Sequence, residues 1–207
     1  MNRLICSVAL LLLSQTATQA AFVTFTSRSE WESQLQRSIF VETFDAFDGI
    51  SYNSTPLVTP NFTIEAFTDS ANNRIENAGP DAPQMSAFLD FDGNPVRLSF
   101  EAPLSAWGAD MRVSGGTFVG VRSGGLEIAA FEPNTSSSAG AVRFFGVIAT
   151  GGTSIEEIDF RRVGSGSTQT FDNISISAVP EPTSVGTLLS LLGVSIVFRR
   201  RTRSTVI

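Results

Sequence analysis

The spacing of its apolar residues constrains this chain most. From Phe22 to Ile176 they fall in short runs, and clusters of Gly, Ser, Asn and Pro separate the runs. Residues 22–25, 39–44 and 62–67 are rich in aromatic and β-branched side chains. So are the runs at 118–121, 126–131, 142–148, 155–160 and 171–176. Trp107, Ala109, Met111 and Val113 alternate with Gly108, Asp110 and Arg112. A period of two buries one face of a strand and wets the other. Short strands at this spacing predict an all-β domain, a β-sandwich or barrel. The sandwich is favoured because so many runs alternate, as they do when each sheet keeps one wet face.

One stretch breaks the period. Ser27 stands three residues before Glu30, the capping-box spacing, and Trp31 and Leu35 share a face, which predicts one short helix near the start. Residues 88–91 and 96–100 flank Asp92-Gly93-Asn94-Pro95, and this turn cluster predicts a hairpin between them.

The two ends of the chain follow other rules. Arg3 precedes a nearly unbroken apolar run over residues 4–13, and small residues at Thr18 and Ala20 suit a signal peptidase. Residues 1–20 therefore read as a secretory signal helix, the alternative being an uncleaved anchor. At the other end Pro180-Glu181-Pro182 precedes fourteen apolar-leaning residues, 185–198, and then Arg199, Arg200, Arg201 and Arg203. As a helix that stretch covers about 21 Å, a marginal span of a hydrocarbon core of about 30 Å. The arginines would stay on the cytoplasmic side and the domain outside.

A Pro-Glu-Pro tripeptide, a short hydrophobic helix and a terminal Arg cluster, in that order, resemble the PEP-CTERM sorting signal. The resemblance implies an exosortase-type processing enzyme as a partner, with Pro180, Glu181, Pro182, Arg199, Arg200 and Arg201 as the sorting motif. An ordinary single-pass anchor is the alternative. The chain then divides into a signal peptide (1–20), a β-sandwich domain (21–178) and a sorting or anchor segment (179–203). The middle also resembles lectin-like or jelly-roll modules of PEP-CTERM proteins. Glu42-Thr43-Phe44-Asp45 looks like their opening, Phe145-Gly146-Val147 their centre, and Phe171-Asp172-Asn173-Ile174-Ser175 their close.

Composition narrows the chemistry. The chain has no histidine and no lysine, and its one cysteine, Cys6, lies in the signal segment. That removes imidazole bases, Ser-His-Asp triads, cysteine nucleophiles and Cys-ligated metals from the domain. Nine arginines against nineteen carboxylates give residues 21–178 a formal charge of −10, with no basic cluster for phosphates. The expectation is no nucleic acid, no catalysis, and a domain in the cell envelope or outside the cell, at least transiently membrane-anchored.

Three functions compete. The first is a structural or adhesive envelope or matrix protein associated with exopolysaccharide. The second is a carbohydrate-binding module, with Trp31, Tyr52 and Trp107 as candidate stacking rings or, alternatively, core residues. The third is a glycosidase using two carboxylates about 5–10 Å apart. The lectin-like resemblance further implies a structural Ca²⁺ where the first core strand meets the last. Its ligands would be Glu42, Asp45, Asp172 and Asn173, and the alternative is that Asp172-Asn173 only shapes a strand end. Asp90-Phe91-Asp92-Gly93-Asn94 reads as a turn, or as an incomplete calcium loop.

Overall fold

The computed structural model describes residues 21–35, 38–53, 55–76, 84–89, 94–112, 116–133, 142–162 and 167–179. The signal segment, the Pro-Glu-Pro motif, the hydrophobic run, the Arg cluster and the acidic turn at 90–93 lie outside these residues.

Strands dominate, as the alternation predicts. They are β1 (Ala21–Phe25), β2 (Phe40–Glu42), β3 (Leu57–Val58), β4 (Phe62–Ala66), β5 (Arg74–Glu76) and β6 (Gln84–Leu89). Then follow β7 (Val96–Arg112), β8 (Thr117–Ser123), β9 (Leu126–Phe131), β10 (Val142–Thr150), β11 (Ile155–Arg162) and β12 (Ser167–Ala178). All their pairings are antiparallel. The helix forms where the capping box places it: α1 (Arg28–Gln34), with the Ser27 hydroxyl accepting from the Glu30 N–H.

The seventeen-residue β7 organises the rest. Its first half, near Val96–Phe100, pairs with β4 and β11; its second half, up to Arg112, pairs with β10 and β12. Between them Glu101, Ala102 and Pro103 are exposed, and Pro103 has no N–H to lose from a ladder. One strand thus bends across two sheets. The first runs β3–β4–β7–β11–β8–β9. The second runs β5–β6–β12–β7–β10–β1, with β2 beside β12 where β6 ends.

Aromatic contacts between the sheets show that they pack face to face. Phe160 of β11 lies 4.1 Å from Phe171 of β12 and 5.7 Å from Trp107 of β7. Phe131 of β9 meets Phe145 of β10 and Phe22 of β1, both at 6.1 Å. The architecture is an all-β sandwich with one short helix.

The expected hairpin at 88–100 does not form. β6 pairs with β5 and β12 in the second sheet, whereas the start of β7 belongs to the first. A tight hairpin does occur at β8–β9, where Gly124 and Gly125 hold φ of +58° and +75°, the left-handed backbone a two-residue turn needs.

Helix α1 packs on the second sheet's outer face, against β10 and β1. Trp31 is fully buried there with Ala106 and Phe144. Gly108 and Gly146 make room: a Cβ on Gly146 would stand 2.7 Å from Trp31 Cδ1, and one on Gly108 2.6 Å from Phe144 Cζ.

Candidate functional site

Of the four residues expected to hold calcium, Glu42 ends β2, Asp172 and Asn173 lie on β12, and Asp45 begins a short 3-10 turn after β2. β2 runs beside β12, with Glu42 opposite Ile174. Their side chains, however, hold donors of the chain itself. Glu42 Oε1 accepts the Phe44 N–H at 2.8 Å, which steadies Phe44 in its left-handed conformation at φ +62°. Asp45 Oδ2 accepts the Thr43 hydroxyl at 2.8 Å. Asp172 Oδ1 accepts the Asn173 N–H at 2.7 Å. Among the described residues no three carboxylates converge as a cage for a cation.

Asp172 and Asn173 do enter a larger constellation. β12 carries a bulge between Asp172 and Ser175, and Asn173 adopts φ +47° there, a conformation asparagine tolerates better than most residues. The bulge re-aims its side chain. Asn173 Nδ2 donates to Asp110 Oδ2 at 3.0 Å and to Asp172 Oδ2 at 3.3 Å. Asp110 and Asp172 are directly opposite across β7 and β12. Two like charges so placed repel, and the shared amide and a nearby cation offset that repulsion.

The cation is Arg28, the first residue of α1. Its Nη2 contacts Asp110 Oδ1 at 3.1 Å and donates to the Asn173 carbonyl at 3.0 Å, while Nη1 donates to Ser175 Oγ at 2.6 Å. Its guanidinium also lies 4.6 Å over the Phe144 ring. The start of α1, the bulge and the far end of β7 are thereby tied at one point.

A cleft of about 210 Å³ opens beside this point, lined by Gln84 of β6, Thr170, Asp172 and Asn173 of β12, Asp110 and Arg112 of β7, and Val142 of β10. A second hollow of about 380 Å³ shares Val142 and is lined further by Met111, Phe144, Phe145, Pro133, Arg143 and Thr26. The two hollows share Val142 as a lining residue, the first mostly polar and the second partly apolar.

Sequence reasoning placed Asp172 and Asn173 in a site but missed Arg28, Gln84, Asp110, Arg112 and Thr170. The signal for Asp110 and Arg112 was present, because alternation with Trp107, Ala109 and Met111 sends both outward. The candidate stacking rings are all in the interior: Trp31 and Trp107 are fully buried and Tyr52 is 1% exposed. None of the three offers a face to a sugar.

The first sheet's outer face differs in kind. Arg97 binds Asp159 with two bonds, at 2.6 and 3.0 Å, and Arg122 binds Glu157 at 2.8 Å. Arg161 pairs with Glu127, and Arg97 also stacks over Phe67 at 5.2 Å. These charges satisfy one another, as on a solvated face.

No family model and no curated protein matches the chain. Among solved structures it is similar to two mutants of CBM29-2, a family 29 carbohydrate-binding module studied for ligand recognition. Identity is 16% and 15%, each alignment covers 70% of this chain and 99% of the module, and the TM-scores are 0.41 and 0.40.

Proposed function

We propose that this is an exported, non-catalytic envelope or matrix protein whose sandwich binds carbohydrate in the cleft on the second sheet. The observation that carries the reading is the cleft itself. Hydrogen-bonding side chains from three adjacent strands converge there on a rigid sheet, beside an apolar wall at Val142. Sugar hydroxyls are both donors and acceptors, and carboxylate, amide and guanidinium groups match them in pairs. A cleft that shares a lining residue with a second hollow suits a polymer chain better than a single small molecule. Binding of this kind would associate the protein with exopolysaccharide, and the secretion signal and PEP-CTERM-like tail would deliver it to the envelope.

Asp110 and Asp172 recognise hydroxyls in this reading. Both already accept hydrogen bonds from Asn173, and Arg28 pairs with Asp110. The test is affinity electrophoresis of the exported protein against a panel of polysaccharides, with Asp110→Ala and Asp172→Ala. Binding that each variant weakens by about tenfold or more, the scale of a lost charged hydrogen bond, supports the reading. Absence of binding to every glycan would end it. Release of reducing sugar that depends on both carboxylates would turn it into hydrolysis.

A structural calcium ion at Glu42, Asp45, Asp172 and Asn173 stays a separate proposal. Thermal melts in calcium and in chelator would then differ by several degrees, and identical melts would discard it.

A further inference from the structure

Buried polar side-chain atoms normally find partners, so each one that does not calls for an explanation, a bound water, ion or ligand among them. Among the described residues they are Trp107 Nε1, Arg112 Nε, Thr117 Oγ1, Arg161 Nε, and Nε and Nη1 of Arg162. None is a carboxylate or amide oxygen. Apart from the Trp107 indole in the core, all stand at one end of the sandwich. Arg112 ends β7, Thr117 begins β8, and Arg161 and Arg162 end β11. The ends of β7 and β11 lie over each other, because Phe171, paired with Met111, stacks on Phe160, paired with Val96. Of these donors, Arg112 lies on the second sheet's outer face beside Asp110, whereas Arg161 lies on the first sheet's outer face, where its Nη2 pairs with Glu127.

Arg112 is the donor that lines the cleft. It lies opposite Val142 of β10 and Thr170 of β12, and its Nε is buried without a partner. The cleft's carboxylates are engaged by Arg28 and Asn173. Sugar hydroxyls can accept from this guanidinium but carry no charge to match its own. A carboxylate meets its planar fork with two parallel charge-assisted bonds.

We propose that the glycan bound in this cleft is acidic: a uronic-acid polymer whose sugar carboxylate docks on Arg112. The inference rests on the cleft being the carbohydrate site. The domain's formal charge of −10 does not draw a polyanion from afar. Recognition therefore depends on the local fork, acting within a Debye length of about 8 Å at physiological salt.

The experiment compares binding of the exported protein to a panel of uronate polymers and to the same polymers with their carboxyl groups reduced to alcohols. Wild type is expected to bind at least one acidic polymer about tenfold or more tightly than its reduced form, the scale of a charge-assisted pair. Arg112→Gln should bring the two affinities within about twofold. Arg112→Lys, which keeps the charge and loses the fork, should recover only part of the preference. Thermal melts establish that both variants are folded. Equal wild-type affinity for each acidic polymer and its reduced form overturns the inference and leaves the carbohydrate site standing. So does a preference that survives in Arg112→Gln, or binding to neutral glycans alone. Failure to bind any glycan removes the carbohydrate reading itself.

Discussion

Single residues in this protein divide between packing and charge matching. Trp107 is fully buried, with its ring on Phe160 between the sheets. Trp107→Ala should therefore cost about 3–5 kcal/mol in a denaturant titration, the range for emptying an aromatic site in a core. Glu76 shows the second case. The Ser86 hydroxyl donates to its carboxylate at 2.5 Å and Arg74 pairs with it, and together they hold its pKa below the usual carboxylate value against the opposing effect of burial. A lowered folded-state pKa stabilises above the unfolded value of about 4.3, and that stability fades as pH falls through the folded value. Glu76→Gln should thus be less stable than wild type at neutral pH. The gap should close below about pH 4, and a gap that persists unchanged in acid would exclude the charge as its source.

Elements meet here through close approaches that a few small residues permit. Helix α1 begins at a cap legible in sequence, but its seat on the sheet depends on Gly108 and Gly146. Gly146→Ala would place a Cβ against Trp31 Cδ1 and the Phe144 ring, both fixed by packing. The expected cost is about 1–3 kcal/mol, read from the denaturation midpoint. Displacing α1 would also move Arg28 off Asp110, so weaker glycan binding should accompany the lost stability. Strand runs were legible because alternation is local, and the runs at 126–131 and 155–160 reappear in β9 and β11. That residues 96–112 form one strand was not legible. Whether a chain turns back or bends across sheets is decided by its partners, and those come from β4, β10, β11 and β12, in part more than sixty residues away.

The whole molecule has two unlike ends. Ala21 pairs with Thr150, and Ala178 with Leu104, so the described chain enters and leaves at the bend of β7. The cleft lies at the opposite end, around Arg112, eight residues along the strand and about 25 Å away at the usual strand rise. A membrane-held tail after Val179 would therefore point the cleft outward. Replacing Pro180 and Pro182 with alanine should change the mature mass or the fractionation of the protein in its native host, and an unchanged product would count against tail-directed sorting. The sequence by itself determined the all-β class, the capped helix and the exclusion of histidine and thiol chemistry from residues 21–178, because period and composition are local properties. Only the tertiary structure decided that Asp110 faces Asp172, that Arg28 reaches both strands, and that Trp31, Tyr52 and Trp107 are core. Each of those depends on which distant strands become neighbours, and pairing over such separations is set by burial of the whole core and not by any short stretch of chain.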